Sequence, residues 1–116
     1  MDTRAAIAED LTISVGTGAS TYNGRDSSPY YVSEVLPNGV IGLYSAHWQF
    51  DDKHPWEGGV GVVDKFDSSH ASELYIKRRY GNWWQCSKDG KPLCKFTDKY
   101  RRLGFNGAYA YQDPSF

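Results

Sequence analysis

Between residues 74 and 84 the chain interleaves rings with cations: Tyr75, Lys77, Arg78, Arg79, Tyr80, Trp83 and Trp84. Lys99, Tyr100, Arg101 and Arg102 repeat the combination, and Tyr109 and Tyr111 follow. Aromatic faces stack on nucleobases for about 1–3 kcal/mol each. Guanidiniums grip phosphates in bidentate, charge-assisted pairs worth about 1.5–3 kcal/mol net. Two stacks and two grips, less the cost of association, are enough for micromolar to nanomolar binding of a nucleotide-sized anion. The same residues also suit a plainer role, as cross-strand ring pairs beside a solvated basic edge.

Catalytic chemistry has weaker support. His47, His54 and His70 are the histidines, with Asp51, Asp52 and Asp64 as candidate partners. No His-x-x-x-His or Cys-x-x-Cys spacing occurs, and neither cysteine lies beside a histidine, so no metal site is expected. There is no Gly-x-Ser-x-Gly elbow, and Gly16-Thr-Gly18 is too short to cradle a phosphate. The expectation is a binder with no catalytic residue and no cofactor. A compact hydrolase using His47 or His70 is the catalytic alternative.

At 116 residues the chain reads as one domain, 1–116, able to bury a single core. Eighteen aromatics, twelve glycines and five prolines point to short strands and turns rather than a helical bundle. No apolar run is long enough to span a membrane as a helix. The first residues lack a basic stretch followed by an apolar core, so no secretory signal is expected. Cys86 and Cys94, without export signals, read as reduced thiols of a cytosolic protein, a disulfide being the alternative. The net charge of −1 conceals an asymmetry. Residues 1–73 carry four basic residues against eleven acids, a net of −7, and residues 74–102 carry nine against two, a net of +7. One anion-facing surface is implied, and general nucleic-acid affinity is not.

The elements that would position these groups follow from the pattern. Residues 74–86 read as a β-hairpin on a Gly81-Asn82 turn, placing Tyr80 opposite Trp83, Arg79 opposite Trp84 and Arg78 opposite Gln85. Residues 2–11 suggest a short amphipathic helix capped by Asp2 or Thr3. Strands are expected over 11–15, 30–36, 40–50 and 94–103, with a short one near 60–63. Residues 22–29 and 51–73 read as loops, the latter long enough to serve a function. The expected fold is all-β: a small, strongly curled antiparallel sheet or partly open barrel with one short N-terminal helix.

Several motifs in this order are similar to those of a family of small phage proteins. They are Val15-Gly-Thr-Gly-Ala19, Arg25-Asp26, Tyr31-Val-Ser-Glu-Val35, the run from Tyr75 to Trp84, and Leu103-Gly104 with Tyr111-Gln-Asp-Pro-Ser-Phe116. The pattern resembles the Thoeris anti-defence sponges, which bind cyclic ADP-ribose-type immune signals, and in some members cyclic oligonucleotides, without degrading them. It departs from the family in reading Arg25-Asp26 rather than Asp-Arg. It also carries Asn106-Gly107 where the family has an arginine, which leaves Arg102 to take that part. The resemblance implies a non-enzymatic β domain acting as a homo-oligomer in the cytoplasm of an infected bacterial cell, with a cyclic nucleotide as ligand. On it, Tyr75 and Trp84 stack on bases, Arg79 and Arg102 clamp phosphates, and Asn106 and Asp113 bond base edges or ribose. Arg25 and Tyr109 complete the ligand-binding set. The alternative is a small-barrel interaction module for a protein or single-stranded nucleic acid.

Overall fold

The computed structural model describes residues 6–8, 11–23, 26–50, 61–97, 101–105 and 107–111. Among them every regular element is a strand: β1 Ala6–Ala8, β2 Leu11–Ile13, β3 Gly18–Asn23, β4 Asp26–Val35, β5 Ile41–Ser45, β6 Trp48–Phe50, β7 Gly61–Val63, β8 Leu74–Arg79, β9 Asn82–Cys86, β10 Pro92–Lys95 and β11 Arg102–Gly104. Seven of them form one antiparallel sheet in the order β10-β9-β8-β5-β4-β3-β11. β1 pairs with β2, and β6 with β7, as separate two-stranded ribbons.

Alternation decides which side chains go inward. Residues paired directly across an antiparallel ladder lie on the same side of the sheet. Val32, Leu43 and Leu74 form one such row, and Val35, Ile41 and Ile76 another. With Ile13 from β2 and Phe96, these residues make the core. Tyr30, Trp83, Leu103 and Phe105 pack around its margin. Leu103 belongs to β11 and Trp83 to β9, near opposite edges of the sheet, yet both reach this core. The Trp83 and Phe105 rings lie 5.0 Å apart. The sheet is therefore rolled up strongly. It does not close: among the described residues β10 and β11 form no ladder, and the bridge Thr97↔Arg101 joins the residues that flank them. The curled, open sheet matches the expected all-β architecture.

Four expectations need correction. The helix over 2–11 is not what residues 6–8 form, since Ala6–Ala8 pair with Leu11–Ile13 as a hairpin. A ten-residue helix is marginal by itself, whereas the hairpin delivers Ile13 into the core. The remainder of that stretch, apart from Leu11, lies outside the described residues. The loop over 22–29 is instead the tip of the β3–β4 hairpin, paired through Asn23↔Asp26. Pro29 is tolerated inside β4 because it sits one residue beyond the last β4–β5 pair, Tyr30↔Ser45. The strand over 40–50 is two strands, β5 and β6, broken at Ala46-His47. The strand over 94–103 likewise divides, β10 and β11 lying at opposite edges of the sheet.

Candidate functional site

The basic hairpin forms where expected, but its turn is Tyr80-Gly81. Both residues have positive φ, 52° and 77°. Two such residues make the mirror-image turn whose twist suits a two-residue hairpin. The Arg78 Nη2 donates to the Gly81 carbonyl at 2.9 Å, and Asn82 Nδ2 donates to the Tyr80 carbonyl at 3.1 Å, tying the turn together. The expected Gly81-Asn82 turn and its pairings are thus displaced: Arg79 lies opposite Asn82, Arg78 opposite Trp83 and Lys77 opposite Trp84. Parity is preserved, so every residue keeps its face while its partner changes.

On the inner face Arg78 lies over the Trp83 ring, its guanidinium carbon 5.5 Å from the centroid. This is the cation–indole contact of the hairpin, made one residue before Arg79. Arg79 instead lies over the exposed ring of Tyr80, at 5.3 Å.

The outer face carries Tyr75, Lys77 and Arg79 from β8 and Trp84 and Cys86 from β9. Trp84 is paired with Lys77 on one side and Lys95 of β10 on the other. An indole bracketed by two ammonium-bearing strands combines a stacking surface with two anion contacts. The Trp84 Nε1 is shut off from solvent and has no hydrogen-bond partner. Cys86 is buried beside it in the ladder, and burial pushes its thiol pKa up, with Lys77 acting in the opposite direction. Lys95 was the part that sequence reasoning missed. Only the pairing of β10 with β9 puts it next to Trp84.

Among the proposed ligand residues, Tyr75, Arg79 and Trp84 share this face. Arg102 and Tyr109 occupy another flank. Arg102 on β11 lies over Tyr22 at 5.0 Å, and Tyr22 is paired with Ser27. Ser27 Oγ donates to the Tyr109 carbonyl at 3.2 Å, and the Tyr109 N–H donates to Ser20 Oγ at 2.8 Å. Tyr109 is 54% exposed. Arg25, Asn106 and Asp113 lie outside the described residues.

The histidines are dispersed. His70 stacks on Tyr44 at 4.6 Å with its Nε2 3.8 Å from Asp67, in a cluster completed by Tyr31 and Phe66. The Ser69 N–H and hydroxyl bond the Asp67 carboxylate and hold its pKa below the ordinary value. The Tyr31 hydroxyl donates to the Asp64 carbonyl and the Asp67 N–H donates to Tyr44 Oη, both at 2.8 Å, so the group pins residues 64–70 to the sheet. His47 is exposed, and its carbonyl accepts from Asp64 N–H. His54 lies outside the described residues. No cluster of three or more metal-ligating side chains occurs among the described residues.

Comparison with known proteins finds no matching family model, no matching curated protein and no matching solved structure.

Proposed function

We propose that this protein binds a small anionic, base-bearing ligand of the cyclic nucleotide class and holds it without cleaving it, as a sponge for an immune signal in an infected bacterial cell. The observation that carries this reading is the row Lys77↔Trp84↔Lys95, with Tyr75 and Arg79 on the same face. A stacked ring contributes about 1–3 kcal/mol. Each charge-assisted contact adds about 1.5–3 kcal/mol. Tyr75 and Trp84 with two of the three cations are then sufficient for at least micromolar affinity, after the loss of translational freedom. Retention rather than turnover rests on the sequence, which carries no nucleophile elbow and no metal-ligand spacing.

Assembly is part of the proposal. Tyr75, Arg79 and Trp84 sit on one flank, and Arg102 and Tyr109 on another. One ligand touching both sets is naturally held between two copies of the chain, and a domain of this size has little room for a deep cleft of its own. Calorimetric titration with cyclic ADP-ribose and with cyclic dinucleotides tests binding. Heating the complex and chromatographing the supernatant should return the ligand intact. A hydrolysed product whose formation is abolished by His47→Ala or His70→Ala would replace the sponge reading with an enzyme. Binding of single-stranded oligonucleotides in preference to every cyclic probe would favour the interaction module.

A further inference from the structure

The failure of the sheet to close leaves a second feature on its inner side. The row Val35, Ile41, Ile76, Gln85, Cys94 crosses five strands on one face. Its first three members are buried, Gln85 is half-buried and Cys94 is exposed. The inward-facing side of the sheet therefore emerges into solvent at β10, where a closed barrel would have placed another strand. A cavity of about 290 Å³ lies there, lined by Cys94, Lys95, Phe96 and Arg101.

Arg101 is held in place within this opening. Its guanidinium carbon is 4.9 Å from the centroid of the buried Phe96 ring, and its Nη2 donates to Gln85 Oε1 at 2.9 Å. The neighbouring bridge Thr97↔Arg101 fixes the backbone on either side. A planar guanidinium anchored by a ring and an amide has lost its rotamer freedom before any ligand arrives, and preorganisation of this kind strengthens binding. Among the described lining residues Arg101 supplies a cation on the inner side, and none is a carboxylate. The volume is at the lower end of small-molecule pockets, which run from about 300 Å³ upward. That admits a single ring with its head group and little more.

We infer that the seam between β10 and β11 is a binding site for a compact, ring-bearing anion, its charged group on Arg101 and its apolar body against the inner wall. The site is separate from the outer face of β8 and β9 and does not depend on the cyclic nucleotide reading. Only Lys95 borders both.

Cys94 reports on occupancy. Its thiol is exposed at the mouth of the cavity, while Cys86 is buried with a raised pKa and serves as the slow internal reference. The rate of Cys94 alkylation by a maleimide is measured on the intact protein, alone and with phenyl phosphate or with inorganic phosphate. Phenyl phosphate should slow the reaction severalfold, and inorganic phosphate should slow it far less. Arg101→Met, which keeps apolar contact with Phe96 but removes the charge, should abolish the protection at an unchanged melting temperature. Arg101→Lys should restore part of it. Unchanged alkylation of the wild-type protein at saturating phenyl phosphate would overturn the inference, and this comparison needs no variant to fold. Equal protection by inorganic phosphate would overturn the ring requirement. Full protection in a folded Arg101→Met protein would overturn the role of the guanidinium.

Discussion

Tyr80, at the tip of the central hairpin, holds a backbone conformation that a β-carbon disfavours. The left-handed region costs an L-residue roughly 1–2 kcal/mol. Against this stands its contact with Arg79, worth about 0.5–1 kcal/mol at an exposed site. Tyr80 is 87% exposed, so burial offsets little of the strain. The strain term is the larger, and Tyr80→Asn should raise stability by about 0.5 kcal/mol in urea unfolding, since asparagine enters this region readily. A loss of stability would mean that the ring is held by contacts beyond Arg79. At the same scale, Tyr75 and Arg79 are separable by salt. Tyr75→Ala should weaken cyclic nucleotide binding by about 1–3 kcal/mol and leave its salt dependence intact, because stacking releases no counterions. Arg79→Ala should flatten the salt dependence, and Arg79→Lys should recover part of the affinity. Full affinity in a folded Arg79→Ala protein would remove Arg79 from the site.

The central strands are tied at the level of elements by a small polar cluster on the outer face. Ser72 Oγ donates to Glu34 Oε2 at 2.7 Å and lies 2.5 Å from Ser33 Oγ, and the Ser33 hydroxyl donates to the Gly42 carbonyl at 3.1 Å. Gly42 leaves the room this requires: a β-carbon there would overlap the Ser72 hydroxyl and come within 2.8 Å of Glu34 Cγ. This links β5 to β4 and to the approach to β8, and so sets where Tyr75, paired with Gly42, is presented. Gly42→Ala should destabilise the protein by about 1–3 kcal/mol, as overpacking does. Ser72→Gly in the same chain should recover part of the loss. Denaturant unfolding of the two variants checks this, and a Gly42→Ala protein as stable as the wild type would contradict it.

At the scale of the whole molecule, the cations proposed to grip the cyclic nucleotide stand on two surfaces. Lys77, Arg79 and Lys95 stand on the outer side of the β8–β9–β10 edge, and Arg102 stands on β11 at the opposite edge of the sheet. If one cyclic nucleotide is gripped by both, the active species contains at least two chains. Light scattering should then give a multiple of 13.1 kDa at micromolar concentration. A monomer with and without ligand would confine binding to the Trp84 face. The seam site makes no such demand, because Cys94, Phe96 and Arg101 are brought together within one chain.

Local alternation made much of this legible in the residues alone. Strand character in β8 and β9, the inward placement of Leu74 and Ile76, and the grouping of Tyr75, Lys77 and Arg79 on one face all follow from a period of two. Those features survive a displaced turn, because moving both ends of the pairing by one residue keeps each side chain on its face. The partners do not survive it, and turn choice between Gly81-Asn82 and Tyr80-Gly81 is settled by strain, hydrogen bonds and twist together. Residues 94–103 show the larger limit. A stretch of mixed charge with no glycine or proline in it carries no local mark that Lys95 will lie beside Trp84 while Arg102 lies beside Tyr22. Those neighbours are distant in sequence and are chosen by how far the whole sheet rolls before its edges meet. The residue types determined the fold class and the chemistry of each face. The curl of the sheet decided which faces meet, and left open the seam that Arg101 borders.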